Sequence, residues 1–176
     1  MVTFEELAYN RDFFISEEEA HELVSLTGIR SWKYCFVELG KLYRWKNNRF
    51  CSLEETINYR FLEHPEAEEV YREYLDYCSD PSNCRDNPER SPELFLQLRD
   101  TVLREGYDPK KGIIVIDQYH TVCVGLHRAC ILLSQFGKDF RVPVLKIRCR
   151  MSRAWLVPSV LYKITHRNRI PFVQGN

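Results

Sequence analysis

The chain has no apolar run near the roughly 20 residues that a membrane span needs; its longest stretches, such as "GIIVI" at 112–116, are far shorter. Its opening, "MVTFEELAYNRDFF", is acidic and lacks the apolar segment of a secretory signal. The expectation is a cytoplasmic protein with no membrane partner. Seven cysteines include no C-x-x-C pair, which argues against a zinc knuckle; reduced, mostly buried thiols are expected. A Cys78–Cys84 disulfide stays open. There is no internal repeat, no low-complexity segment and no paired-carboxylate metal motif, so no residue is nominated as a metal ligand and hydrolytic nuclease chemistry has no support.

Acid is missing from one part of the chain altogether. From Phe140 to the end there are eight Lys or Arg and no Asp or Glu. The formal net charge of zero conceals this: residues 1–80 hold 17 acids and 9 bases, residues 81–176 hold 8 acids and 16 bases. Such asymmetry fits an anionic ligand, nucleotide or nucleic acid on the second half, or two halves that neutralise each other where they pack.

At 176 residues the chain can bury one proper core. Three S/T-x-x-E capping boxes, Thr3–Glu6, Ser16–Glu19 and Ser52–Glu55, mark helix starts, and Gly28 is placed to end the second helix. "WKYCFVELGKLYRW" alternates Trp32, Tyr34 and Phe36 and turns near Leu39–Gly40, the pattern of a β-hairpin. Pro65 opens a helix with Val70, Tyr71, Tyr74, Leu75 and Cys78 on one face. Residues 79–92 are rich in breakers and read as a linker. Ser91, Pro92 and Gly106 then cap, start and stop a helix. "GIIVID", a tight "QYH" connection, "TVCVG", a helix from Leu126 to Phe136 and "VPVLKIRC" follow. Strand, helix and returning strand predict a βαβ crossover with 121–124 parallel to 143–149. The expected fold class is α+β, a small mixed sheet with that crossover, preceded by a helical region with a hairpin. The division is 1–80, 81–150 as the core, and 151–176 as a basic extension.

The stretch "VCVGLHRACILL", residues 122–133, carries the chemistry. His127 and Arg128 stand in the first turn of a helix, where the macrodipole disfavours cations by about 0.3–1 kcal/mol. A phosphate on the exposed N–H groups of that turn reverses the sign. Gly125 allows close approach of the backbone, and Arg128 offers a planar fork of donors. The bland alternative pairs Arg128 with Asp117 or Asp139 and leaves His127 a satisfied structural imidazole.

Leu98–Val102 "LRDTV", Ile113–Ile116 "IIVI", Gly125–Arg128 "GLHR" and Val142–Val144 "VPV" fall in the order of a known unit. In that order residues 98–148 resemble the ParB/sulfiredoxin superfamily. The resemblance implies ATP or CTP binding with phosphates on the turn made by Gly125, Leu126, His127 and Arg128. Thr101 matches a nucleotide-contacting threonine of the sulfiredoxin group. "NPER", residues 87–90, resembles the N-P-x-x-P-R segment of the partition proteins and adds Arg90. Glu89 or Glu93 falls near the catalytic carboxylate of the superfamily's free-serine kinases. The chain also departs from the pattern. Leu126 stands where sulfiredoxins keep their cysteine, so that activity is not expected. Leu94 and Gln97 replace two of their nucleotide-binding helix residues, and no helix-turn-helix follows. What remains is a nucleotide-dependent phosphotransferase on an unidentified small molecule, with Mg²⁺, or a non-catalytic nucleotide or nucleic-acid binding module. A cysteine hydrolase using Cys123 with His120 or His127 is a third reading.

Overall fold

The protein is described by a computed structural model that covers residues 2–27, 29–46, 49–64, 66, 68–79 and 91–149. Helix α1, Phe4–Ala8, starts at a reciprocal capping box: Thr3 accepts from the Glu6 amide at 3.3 Å and Glu6 from the Thr3 amide at 2.9 Å. Ser16 and Glu19 repeat the arrangement before α2, Glu17–Thr27. The third box behaves differently. Ser52 makes no side-chain cap and precedes only a 3₁₀ turn, Leu53–Glu55. The cap moves to Thr56, whose hydroxyl accepts from the Tyr59 amide at 3.2 Å and opens α3, Ile57–Glu63. Gly28 and Pro65 lie outside the described residues.

The hairpin expected at Leu39–Gly40 is replaced by a longer-range arrangement. The turn forms, as a 3₁₀ segment Leu39–Lys41, but the strands it joins do not pair. Strand β1, Ile29–Glu38, pairs antiparallel with β6, Arg141–Cys149, at the far end of the described chain. Strand β2, Tyr43–Lys46, makes its own ribbon with β3, Arg49–Ser52. The turn is pinned instead to the loop before β6, where the Phe140 carbonyl accepts from the Leu39 amide and the Lys138 carbonyl from the Gly40 amide.

After α4, Glu68–Ser79, and α5, Pro92–Glu105, come β4, Ile114–Ile116, β5, Val122–Val124, and α6, Leu126–Phe136. Ser91 accepts from the Leu94 amide, Pro92 stands at the first turn, and Gly106 ends α5 at φ 82°, as its cap signals require. The sheet order is β1-β6-β4-β5. The predicted parallel neighbours, 121–124 and 143–149, share this sheet but are not adjacent and run opposite ways: β4 lies between them, antiparallel to β5 and parallel to β6. The reason is local. The tight turn after Ile116 makes β4 and β5 a hairpin, so the crossover through α6 closes on β4 rather than on β5.

This is an α+β fold with helices on both faces of a mixed sheet. Val142 and Val144 of β6 face a core shared with Phe61, Tyr71, Phe95 and the buried side of α6. Leu145 and Ile147 face a second core filled by Leu7, Phe13, Ala20 and Leu23. Tyr34 and Phe36, two of the three aromatics that suggested the hairpin, are exposed, while Val37 is buried. Among the described residues no helix is long and apolar enough to cross a membrane. Leu145, fully buried on the inner strand β6, is the sensitive point of the second core. Leu145→Ala should lower the unfolding free energy by about 2–5 kcal/mol, measured by urea titration.

Candidate functional site

Gly125 joins β5 to α6 in the left-handed conformation, φ 82° and ψ 25°. A Cβ there would meet the Ile114 Cα at 3.1 Å and the Ile113 carbonyl oxygen at 3.2 Å. The turn therefore lies directly on the start of β4. No side chain caps α6, and Gly125 has none to offer, so the helix opens with backbone N–H groups and their partial positive charge.

The side chains of this turn go separate ways. Arg128 Nη2 donates to the Lys111 carbonyl at 3.1 Å, and its guanidinium covers Gly112, where an added Cβ would fall 2.5 Å from Cζ. Neither acid considered as a partner holds it. Asp117 Oδ1 instead accepts from the Tyr119 and Thr121 amides, both at 2.8 Å. The cation is thus met by a carbonyl at the end of the Pro109–Lys111 turn. Tyr107 secures the same corner: its hydroxyl accepts from the Ile114 amide at 2.9 Å and donates to the Pro143 carbonyl at 3.3 Å. Burial dominates in pushing this phenol above its ordinary range, with the nearby Arg128 acting the other way.

His127 turns to the opposite side. Its Nε2 lies 3.0 Å from the Tyr71 hydroxyl, and Phe95 meets its ring edge-on at 4.6 Å. Buried Asn58 donates to the same hydroxyl at 3.4 Å. Asn58, Tyr71 and His127 form a polar line through an aromatic cluster in which Phe61 stacks on Tyr71 at 4.5 Å. Tyr71 and Leu75 of the predicted α4 face are buried while Val70 is exposed; that the Tyr71 hydroxyl reaches the opening of α6 was not legible, because the contact spans 56 positions.

The other nominated residues are more scattered. Leu126 is half-buried at the first position of α6, and Thr101 is half-buried on α5. Glu89 and Arg90 lie outside the described residues, as do the linker residues 80–90 and the tail 150–176. Glu93 sits on the surface in an ion pair with Arg72, which also holds Glu68 at 2.7 Å. Hydrogen bonds from its own amide and from Ser91, then from Arg72, lower its carboxyl to about 2. A carboxylate so easily kept ionised is a weak proton acceptor near neutrality.

Among the described residues no three His, Cys, Asp or Glu side chains come together as a metal-binding group. Of the thiols expected to be reduced, Cys35, Cys123 and Cys130 are free. The side chains of Cys78 and Cys84 lie outside the described set. Burial above all raises the Cys123 thiol well beyond its ordinary range, and its Sγ donates to the Thr121 carbonyl at 3.5 Å. A thiol held neutral in this way is a poor nucleophile and lends the hydrolase reading no support.

With fold and site described, the class is an α+β protein whose uncapped helix opens on a left-handed glycine turn flanked by an arginine and a histidine. Comparison of the chain with family models, with curated proteins and with solved structures found no match.

Gly125→Ala should cost roughly 1–2 kcal/mol from the left-handed backbone alone, with the close contact on Ile114 adding to it, read from denaturant unfolding. The Glu93 prediction depends on pH. Its folded pKa is depressed, so its stabilising effect is present above the ordinary carboxylate range and is lost as pH falls toward about 2. Glu93→Gln should therefore melt below the wild type at neutral pH, with the difference shrinking on acidification; a difference constant with pH would contradict the ion-pair role.

Proposed function

We propose that the opening turn of α6 binds the phosphate group of a nucleotide or a similar ligand. One observation carries this reading: Gly125 occupies the N-cap position in the left-handed conformation and leaves the helix uncapped, with Arg128 in the same turn. Placing a cation at the positive end of a helix is unfavourable, and an anion between them offsets that cost. The order of motifs shared with the ParB/sulfiredoxin superfamily supports the same reading and favours ATP or CTP. Leu126, His127 and Arg128 contribute backbone N–H groups, with the Arg128 guanidinium closing over the ligand from the Gly112 side. Thr101 and Arg90 are the proposed contacts to the rest of the nucleotide.

Phosphoryl transfer to a small molecule is the catalytic form of this proposal, since that chemistry depends mostly on positioned charge. Its base is assigned to Glu89 in preference to Glu93, because the ion pair with Arg72 already engages Glu93. A non-catalytic nucleotide or nucleic-acid binding module is the second reading. It is favoured by the run of bases without acids from Phe140 onward.

Arg128→Gln separates a ligand-binding arginine from a purely structural one. Loss of the bond to Lys111 should destabilise the ligand-free protein by about 1.5–3 kcal/mol, more than the roughly 0.3–1 kcal/mol regained from the unfavourable dipole contact. If the turn binds phosphate, wild type should gain a further increment in phosphate or ATP, approaching about 2.7 kcal/mol at a hundredfold excess over Kd. The variant should lack that increment. Thermal melts in phosphate, sulfate and chloride at matched ionic strength measure both terms. Equal anion dependence in the two proteins would place the phosphates elsewhere.

A further inference from the structure

At the opposite end of β5 from Gly125, a cavity of about 300 Å³ gathers bases from both halves of the chain. Lys33, Lys41, Arg141, Lys146 and His120 line it, together with the apolar side of Cys35 and Val37. The one lining carboxylate, Glu38, is engaged with Lys41 at 2.8 Å. We infer that this cavity is a second ligand site, built for a small molecule that carries a phosphate or pyrophosphate group.

The strand register sets like charges against each other. Lys33 of β1 stands directly opposite Lys146 of β6 in the antiparallel ladder. Opposed side chains have Cβ atoms about 4.5–5.5 Å apart, and like charges there are destabilising. A neutral residue at either position would avoid the repulsion. An anion seated between the ammonium groups turns it into attraction.

The surrounding turns are held in place before any ligand arrives. His120 is the non-glycine residue with positive φ among those described, at 65°. Side chains in that region are rare and tend to mark sites where the surroundings enforce them. Here Asp117 accepts from the amides on either side of His120, and the His120 carbonyl accepts from the Tyr43 amide at 3.0 Å. Burial, then repulsion from Lys146, depresses the imidazolium. Lys41 is fixed by the Leu39 and Gly40 amides bonded to Phe140 and Lys138, and Arg141 follows on the same loop. The volume lies at the lower end for small-molecule pockets, which suits a compact polyanion rather than a duplex.

Inorganic pyrophosphate is the probe, applied to the full chain. Acetylation of lysines by a succinimidyl ester, read residue by residue by mass spectrometry, should slow severalfold at Lys33 and Lys146 when pyrophosphate is present. Lys138, paired with Glu54 and outside the cavity lining, should react unchanged. The double variant Lys33→Gln with Lys146→Gln should bind pyrophosphate at least tenfold more weakly by calorimetry, while its ligand-free melting temperature stays at or above that of wild type. Arg128→Gln should retain protection at both lysines, which distinguishes this site from the one proposed at α6. Absence of protection at Lys33 and Lys146, or unchanged affinity in the double variant, would overturn the inference. Tight binding of a single-stranded oligonucleotide without any binding of pyrophosphate would overturn it as well.

Discussion

The arrangement depends on β6 being an inner strand with two apolar faces. Paired with β1 on one side and β4 on the other, it sends Val142 and Val144 into one core and Leu145 and Ile147 into the other. Neither β1 nor the β4–β5 hairpin could bury its inward residues without it. The parallel pairing of Ile114 with Val144 also sets where β4 begins, and Gly125 lies so close to that beginning that an added Cβ would meet the Ile114 Cα at 3.1 Å. Tyr107 bonds the same two strands at that level, from the Ile114 amide to the Pro143 carbonyl. The α6 turn is therefore positioned by the sheet itself, and the loop before β4 that receives Arg128 is positioned with it.

Apart from the Ser52–Glu55 box, local chemistry was read correctly where the deciding interaction lay within a few residues. Thr3, Ser16 and Ser91 cap the helices their sequences announce, and Gly106 and Gly137 end α5 and α6. The failures in the sheet were failures of partner choice. The alternation at Trp32, Tyr34 and Phe36 was a true strand signal, but a turn after a strand does not state which strand it will pair with. Its partner is more than a hundred positions away. In the same way, strand–helix–strand led to the wrong parallel pair because β4, one tight turn upstream, claimed the place beside β6. Ser52 lost its cap to Thr56, where a buried threonine does better.

The candidate turn was legible in a similar proportion. Gly125, the uncapped helix start and the presence of Arg128 followed from sequence order and elementary helix electrostatics. That Arg128 would reach a carbonyl rather than Asp117 could not be foreseen, because Asp117 is consumed by the amides of its own turn. His127 likewise finds Tyr71 and Phe95 on helices whose packing angles no local pattern encodes.

Charge makes the same point on a larger scale. The acidic first half and basic second half do meet in a complementary pair, Glu54 with Lys138 at 2.8 Å. Yet the sheet also brings Lys33 and Lys41 from the acidic half to Arg141 and Lys146 of the basic half. Net charge by segment averages over tens of residues, whereas pair energies fall off over a Debye length of about 8–10 Å. Over that distance β1 and β6 decide which charges meet, and their pairing concentrates cations that the segment totals assign to opposite sides. A chain with no net charge can therefore keep basic surroundings at both ends of β5, one at the uncapped opening of α6 and one in the cavity beneath His120.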